Sequence, residues 1–269
     1  MTQTVAVLGT GKIGEALLSG MIRAGWRAGD LLVTTRRAER ADKLRTRYGV
    51  EAVTNAEAAK SADILILAVK PQDMGTLLDE LAPYVTSDRL VISAAAGITT
   101  AFIEDRLAER TPVVRVMPNT PVLVDEGMSV ISAGSHATPG HLALAEAIFG
   151  GVGKTLRVPE SQQDAATALS GSGPAYFYFL VEAMTDAGIL LGLPRAQAHE
   201  LIVQAAIGAA VMLRDSGEHP VKLREAVTSP AGTTISAIRE LENHGVRAAL
   251  IAALEAARDR SRELASGKG

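Results

Sequence analysis

Three glycines, Gly9, Gly11 and Gly14, follow the apolar run Val5–Leu8 and open a stretch with helical periodicity. Between a strand and a helix, the first such glycine permits the turn, the second lets backbone approach a pyrophosphate, and the third lets the helix pack on the strand. The helix start adds free N–H groups and the positive end of the helix dipole. A plain tight turn is the alternative, but the strand-to-helix context favours binding of a dinucleotide.

The end of the second predicted strand indicates which dinucleotide is bound. An NAD site usually places Asp or Glu about 20 residues beyond the glycines, where it binds the ribose hydroxyls. This sequence has Thr34, Thr35, Arg36 and Arg37 instead. Hydroxyls together with guanidinium groups suit a 2′-phosphate, although the two arginines could also simply begin a solvated helix. The pattern favours NADPH, with NADH as the alternative.

Two later segments have the composition of ligand-binding helix starts. The segment SPAGTT, from Ser229 to Thr234, precedes a helical stretch that runs to Glu242. Unpaired N–H groups and two hydroxyls at such a start suit a small carboxylate, while ordinary capping by Ser229 or Thr233 explains the segment equally well when it is taken alone. The small residues of SGSGP, from Ser170 to Pro174, let a flat ring lie close to the backbone or merely make a flexible helix entrance.

The elements that must position these residues fall into two halves. Short β-branched runs alternate with helical patterns before about residue 159, which predicts a parallel sheet covered on both faces. After that point prolines punctuate Ala/Leu-rich helical stretches. The predicted strands are Val5–Leu8, Leu31–Thr35, Ala52–Val53, Ile64–Ala68, Leu90–Ser93, Val113–Val116, Met128–Ser132 and Thr155–Val158, and the long helices are Pro174–Leu191, Pro194–Leu213 and Val246–Leu264.

The sequence therefore predicts an α/β fold class: an N-terminal Rossmann-type doubly wound sheet followed by an all-helical C-terminal domain. The first domain is expected to span residues 1–158 and to bind NADP. The second is expected to span residues 159–269, to bind substrate and to form a dimer.

Composition narrows the class of protein. The chain has 269 residues, a net charge of −3 and no cysteine, which argues against nucleic-acid binding and excludes disulfides and thiolate chemistry. The five histidines show no paired ligand spacing, so no metal site is expected. No signal segment and no long apolar run are evident, so a cytoplasmic protein without a membrane span is expected.

Six motifs together resemble the pyrroline-5-carboxylate reductase family, over nearly the whole chain. Their C-terminal members are far more specific than the glycine loop. They are LAVKPQ (67–72), SAAAGIT (93–99), RVMPNTP (115–121), ALSGSGPAY (168–176), DAGILLGLPR (186–195) and VTSPAGTTISAIRELE (227–242). One departure is Ala231, where many members of the family have a second glycine.

The resemblance implies NADPH-dependent reduction of 1-pyrroline-5-carboxylate to L-proline, by an intertwined homodimer that is assembled further into decamers in some members. It implies that Thr234 acts as the catalytic residue, within a substrate-binding set of Glu160, Ser172, Gly173, Gly232, Thr233 and Thr234. The implied cofactor contacts are Gly9, Thr10, Gly11, Lys12, Ile13, Gly14, Thr35, Arg36, Asn55, Ala68, Val69, Lys70, Pro71 and Ala96.

An absence supports an imine as the substrate. Reduction of a ketone creates an alkoxide that a His, Tyr or Lys must protonate, and β-hydroxyacid dehydrogenases of similar layout carry a lysine on the long interdomain helix. No lysine occurs from Ser172 to Leu213. A protonated cyclic imine yields a neutral amine directly and needs no such donor. A β-hydroxyacid dehydrogenase-like oxidoreductase and a non-enzymatic NADPH sensor are the two alternatives.

The aromatic run from Tyr176 to Phe179 points to every side of its helix. A helix that is apolar all round is expected to be buried. The run is therefore expected to lie in the core or in a subunit interface, and the apolar helical half is expected to form a dimer.

Overall fold

The computed structural model describes residues 3–265. Residues 1–2 and 266–269, which end the two expected domains, lie outside the described residues. The contacts divide the chain into two compact units. The first holds the residues up to 172 together with those from 257 onward, and the second holds residues 173–256. The expected boundary between residues 158 and 159 separates cofactor binding from substrate binding and dimer formation, and it stays a prediction.

The first unit is built around a sheet of eight strands in the order β3-β2-β1-β4-β5-β6-β7-β8. Each predicted strand is present, with its ends shifted by a few residues at most. The strands are β1 Val5–Leu8, β2 Leu31–Thr34, β3 Glu51–Ala52, β4 Ile64–Leu67, β5 Leu90–Ser93, β6 Val113–Pro118, β7 Gly127–Ala133 and β8 Gly153–Arg157.

One strand corrects the expectation of a parallel sheet. Strand β7 runs antiparallel to β6, with Val114 opposite Ala133 and Pro118 opposite Ser129, while the other neighbouring pairs are parallel. Only a short 3-10 helix, Thr120–Val124, connects β6 to β7. A parallel pair requires a crossover of about a dozen residues or more, so this connection is too short for one.

Helices cover both faces of the sheet. Along β1, Val5 and Val7 contribute to one buried cluster and Ala6 and Leu8 to the other, because successive side chains of a strand point to opposite faces. This confirms the doubly wound arrangement. The helices of this part are α1 Lys12–Arg23, α2 Ala38–Tyr48, α3 Asn55–Ser61, α4 Met74–Leu81, α5 Thr100–Glu104, α6 Pro139–Gly150 and α7 Gln163–Ala166.

The remaining helices follow a π-helical turn over Thr167–Gly171. They are α8 Gly173–Leu190, α9 Arg195–Asp215, α10 Pro220–Ala226, α11 Thr233–Asn243 and α12 Val246–Ala265. A Cβ on Gly188 of α8 would lie 2.7 Å from the Ala198 Cβ of α9. The glycine therefore permits these two helices to pack closely.

The aromatic run on α8 does not lie in the core of the subunit. Phe177, Tyr178 and Phe179 are 65 to 70% exposed, so the core alternative is wrong for this chain taken alone. Among the described residues, α9 is long and apolar enough to cross a membrane by length and composition. That criterion by itself is weak grounds for a membrane span, because core helices of water-soluble proteins also satisfy it.

Candidate active site

The glycine loop between β1 and α1 depends on glycine at two positions for different reasons. Gly9 has a φ of +93°, and a Cβ there would lie 2.8 Å from the Val69 Cγ1 and 2.9 Å from the Ala68 carbonyl oxygen. A Cβ on Gly14 would overlap the Gly9 carbonyl oxygen. Gly9 thus permits the turn of the loop close to the residues that follow β4, and Gly14 lets α1 pack against the loop.

Gly11 differs from both because nothing lies within 4 Å of the position that its Cβ would take. It is the N-cap of α1, and no side chain caps this helix. The first N–H groups of α1 are therefore left without a side-chain acceptor, next to open space. This is the cradle that a pyrophosphate requires, so the loop fits a dinucleotide.

A cleft of about 1090 Å3 lies along the carboxyl ends of β1, β2 and β4. Nine of the expected cofactor residues line it: Gly9, Thr10, Gly11, Lys12, Thr35, Arg36, Asn55, Val69 and Lys70. Ile13, Gly14, Ala68, Pro71 and Ala96 are not part of its lining. Carboxyl ends of parallel strands are where ligands bind in doubly wound sheets, so the cleft lies where the fold leads one to expect it.

Two expected cofactor residues have protein partners in this cleft. Arg36 is 77% exposed at its side chain and forms an ion pair with Asp73, a residue that the sequence reasoning did not single out although it directly follows LAVKPQ. The Asn55 amide donates to the Glu80 carboxylate at 2.9 Å. Arg37 and Lys12 have no ion-pair partner within residues 3–265. Six cations line the cleft, and carboxylates in the lining pair with three of them, Asp73 with Arg36, Glu15 with Arg40 and Glu39 with Lys43.

An ion-pair cluster lies between α1 and α2 behind the glycine loop. Arg40 is paired with Glu15, and the Tyr48 hydroxyl donates to the same carboxylate at 3.0 Å. Burial raises the pKa of Glu15, but the hydrogen bonds from Arg40 and Tyr48 outweigh it and hold that pKa below its ordinary value. Burial and the bond to Glu15 raise the pKa of Tyr48. Glu15 is therefore an ionised anchor for Arg40.

The start of α11 is the expected carboxylate site. Its N-cap is Gly232, and no side chain caps the helix. Capping by Ser229 or Thr233, the alternative explanation of this segment, is therefore absent from α11. Thr233 is exposed and Thr234 is half-buried, so both hydroxyls and the first N–H groups of the helix are available to an anion.

The loop before α11 contains a strained residue. Ala231 has a φ of +57°, a left-handed conformation that disfavours side chains with a Cβ. The Gly232 N–H donates to the Ser229 carbonyl at 3.1 Å and closes the turn. The departure from the family at Ala231 thus lies at a position whose conformation suits glycine.

The segment ALSGSGPAY overlaps the π-helical turn, after which the Ser172 N–H donates to the Thr167 carbonyl at 2.9 Å. The Asn119 amide of the RVMPNTP motif donates to the Ser170 carbonyl at 3.2 Å, and its Oδ1 accepts from the Met128 N–H at 2.9 Å. Sequence reasoning did not select Asn119. The motif quoted for the resemblance contains it, and its hydrogen bonds tie β7 to the turn before Ser172.

Glu160 has its carboxylate engaged within the first unit. It accepts from the Thr100 N–H at 2.8 Å, from the Thr100 hydroxyl at 2.6 Å and from the Arg115 guanidinium at 3.1 Å. Arg115 is only 4% exposed at its side chain, and a buried cation needs such a partner. Contact of Glu160 with substrate stays a prediction, and the structure shows the residue neutralising Arg115.

Comparison with known proteins gives two family matches and close relatives. Residues 160–264 match the model described as pyrroline-5-carboxylate reductase dimerisation, and residues 4–97 match the model described as NADP oxidoreductase, coenzyme F420-dependent. A pyrroline-5-carboxylate reductase of Corynebacterium melassecola is 46% identical, with 97% of this chain and 98% of the relative covered.

Two solved structures are similar along almost the full length. A pyrroline-5-carboxylate reductase from Coxiella burnetii matches with a TM-score of 0.93 and 37% identity, covering 98% of this chain and 99% of the other. A Plasmodium falciparum pyrroline carboxylate reductase with NADP bound matches with a TM-score of 0.86 and 29% identity, covering 98% of each chain. With its glycine loop, its uncapped helix start and this full-length similarity, the chain belongs to the pyrroline-5-carboxylate reductase family.

Proposed function

We propose that this protein catalyses the last step of proline biosynthesis, the NADPH-dependent reduction of 1-pyrroline-5-carboxylate to L-proline. The observation that carries the proposal is the identity of 46% to a pyrroline-5-carboxylate reductase over 97% of the chain. The chain is an NADP-dependent oxidoreductase, in agreement with its match over residues 4–97 and with the NADP-bound neighbour.

The cleft of the first unit is the proposed cofactor site. The open position at Gly11 and the uncapped N–H groups of α1 would hold the pyrophosphate. Arg36, with Thr35 and the unpaired Arg37 beside it, would hold the 2′-phosphate. When bound, NADPH supplies the hydride that reduces the C=N bond.

The start of α11 is the proposed site for the substrate carboxylate. Its first N–H groups and the hydroxyls of Thr233 and Thr234 would bind the anion, and Thr234 is the residue proposed to contact the reacting substrate. Gly232, Ser172 and Gly173 have small side chains or none, which lets a flat ring approach the backbone. In this role the Thr234 hydroxyl would fix the position of the imine.

The residues present suit an imine better than a ketone. A protonated imine accepts hydride at its carbon and becomes a neutral amine, so positive charge is removed and no alkoxide is formed. Helices α8 and α9, from Gly173 to Asp215, contain no lysine to protonate an alkoxide. Positioning of substrate and cofactor is then the main contribution of the protein.

We propose further that residues 1–158 bind NADP and that residues 159–269 bind substrate and form the dimer. The match to the dimerisation model over residues 160–264 supports this division. A homodimer is the proposed active unit, decamers are the larger assembly that the family resemblance implies, and the cytoplasm is the proposed location.

One assay separates the candidate functions. The purified protein is given NADPH with either 1-pyrroline-5-carboxylate or the 2-keto acids of a panel, and NADP+ with the 3-hydroxy acids of that panel, and the nicotinamide absorbance is followed. We expect oxidation of NADPH with the imine and none with the panel, together with formation of proline detected by chromatography. Turnover of a panel acid without turnover of the imine would identify a hydroxyacid dehydrogenase. Tight NADPH binding without any turnover would identify a sensor.

A further inference from the structure

Arg40 donates two hydrogen bonds to the glycine loop from outside it. Its Nε and Nη2 lie 3.2 and 3.1 Å from the Thr10 carbonyl oxygen, to which both donate. Its guanidinium is also paired with Glu15 in the first turn of α1. One side chain of α2 therefore binds both the loop and the helix that follows the loop.

The Thr10 carbonyl controls the direction of the next N–H. The peptide bond between Thr10 and Gly11 is trans, so the carbonyl and the Gly11 N–H point in opposite directions from one rigid plane. Holding the Thr10 oxygen therefore fixes the direction of the Gly11 N–H. Thr10 is itself held at its side chain, which donates to the Thr34 carbonyl at 3.3 Å.

Glu15 holds Arg40 in place. Its carboxylate accepts from the Arg47 guanidinium at 3.2 Å and from the Tyr48 hydroxyl at 3.0 Å, and its N–H donates to the Gly11 carbonyl at 2.9 Å. Arg47 also lies over the Tyr48 ring at 5.1 Å. Glu15 is thus bound to α2 through three side chains and to the loop through its backbone.

We propose that Arg40 is a positioning residue for the cofactor site, which presets the Thr10–Gly11 peptide to receive the pyrophosphate. The proposal rests on the proposed use of a nicotinamide dinucleotide. Because Arg40 already binds Thr10 and Glu15, it acts through the loop and does not bind the 2′-phosphate. Its removal therefore weakens NADPH and NADH by the same factor, since both carry the pyrophosphate.

The test compares Arg40→Ala, Arg40→Lys and a matched control, Arg45→Ala. Arg45 lies on the same helix and also donates to a backbone carbonyl, that of Ala52 at 3.1 Å, but it does not line the cleft. The dissociation constants of NADPH and NADH are measured calorimetrically on the full chain. Amide exchange of residues 9–14 is followed without cofactor.

We expect Arg40→Ala to raise both dissociation constants about 10- to 100-fold, since it removes charge-assisted hydrogen bonds. Exchange at residues 9–14 should accelerate, while the kcat at saturating NADPH stays within about twofold of wild type. Arg40→Lys should restore part of the affinity. The Arg45→Ala control should bind both cofactors as wild type does.

Two outcomes would overturn the proposal. A loss confined to NADPH would show that Arg40 binds the 2′-phosphate, and an affinity equal to that of Arg45→Ala would show that the loop needs no support from it. If Arg40→Ala fails to fold, the Glu15→Gln variant takes its place, because it keeps the shape of the side chain and weakens the ion pair with Arg40. An equal loss of affinity for both cofactors would then support the proposal. Unchanged affinity would overturn it. Wild-type protein that binds NADPH but does not reduce the imine would overturn the proposed function and leave this test intact.

Discussion

The two units of the chain differ in how much of their apolar surface is buried within the chain itself. In the first unit, all residues of β1, β4 and β5 are buried. In the second, α10 and α11 have no buried residue, and α9 has Ala198 alone. The first unit therefore completes its core within one subunit, whereas the second leaves large apolar side chains exposed, Phe177 and Leu190 among them. The match to a dimerisation model over residues 160–264 accounts for that difference.

The strongest test of this comparison places charges on α8, at the exposed Phe179 and the half-buried Leu180. The double change Phe179→Asp with Leu180→Asp should separate the subunits, because burying a charge in an apolar interface costs several kcal/mol. Activity should fall by at least about 100-fold if the active unit is the dimer, a loss of roughly 3 kcal/mol. Sedimentation and the imine assay measure the two effects.

The control for this test is Val124→Asp, which puts a charge on an exposed apolar residue of the first unit, outside the dimerisation match. It should leave both the assembly and the activity unchanged. A folded monomer of the double variant that reduced the imine at the wild-type rate would refute the dimer as the active unit.

The next largest effect concerns the charge at the end of β2. Arg36→Asp should weaken NADPH by about 2 kcal/mol more than NADH, because it removes a partner of the 2′-phosphate and adds repulsion. Asp73→Asn should strengthen the binding of NADPH relative to NADH, since Asp73 is paired with Arg36. Dissociation constants for both cofactors measure this, with Arg45→Asp as the control for charge. Equal losses with both cofactors would place the 2′-phosphate elsewhere.

Two glycines of one loop should respond differently to the same change. Gly14→Ala should destabilise the fold by about 1–3 kcal/mol or more, because its Cβ would overlap the Gly9 carbonyl. Gly11→Ala should leave stability within about 1 kcal/mol and weaken NADPH instead, because its Cβ would enter the open cradle. Thermal unfolding and cofactor affinity separate the two effects. Similar losses of stability in both variants would argue against the cradle.

The carboxylate site in the second unit can be tested independently of the cofactor. Thr234→Ala should lower kcat/KM for the imine by about 1–3 kcal/mol, since it removes one hydroxyl and keeps the backbone N–H. Affinity for NADPH should stay at the wild-type value. Thr228→Ala is a suitable control, because its hydroxyl donates to the Arg224 carbonyl within the preceding helix. A loss of NADPH affinity with an unchanged KM for the imine would reassign Thr234 to the cofactor.

The smallest expected effect is a gain in the stability of the fold. Ala231→Gly removes the strain of a left-handed alanine, about 1–2 kcal/mol, and adds entropy to the unfolded chain worth about 0.4–1 kcal/mol. The net stabilisation should be about 0.5–1 kcal/mol, visible as a rise in Tm. Ala231→Val should lower Tm instead. A fall in Tm with glycine would show that the loop gains more from the methyl group than it loses in strain.

Local patterns predicted the first unit well because its residues act over short distances. The role of Gly14 follows from Gly9 in the same loop, and the alternation along β1 follows from strand geometry, although the close contacts of Gly9 with Ala68 and Val69 come from the end of β4. The antiparallel β7 could have been predicted from the short link after Pro118, which leaves no room for a crossover. The hydrophobic periods of strands and helices, 2.0 and 3.6 residues, do not predict how consecutive strands are connected.

Long-range side-chain pairing was not predictable from the sequence. The pairs Arg36–Asp73 and Arg115–Glu160 join residues that are 37 and 45 positions apart in the sequence, and no local pattern selects one carboxylate over another. The exposed run at Phe177–Phe179 shows a related limit, because hydrophobicity alone does not tell a core from a subunit interface. These features depend on which distant segments come into contact in the folded chain, and the spacing of residues in a single sequence does not predict that.

The return of α12 to the first unit has a consequence for biosynthesis. The chain from residue 257 onward belongs to the first unit, and the Ser261 hydroxyl donates to the Asp164 carboxylate at 2.7 Å across 97 residues of sequence. The ribosome synthesises this piece after the helices that separate it from the sheet. The first unit therefore cannot form these contacts before α12 has been synthesised, and such distant closure slows folding.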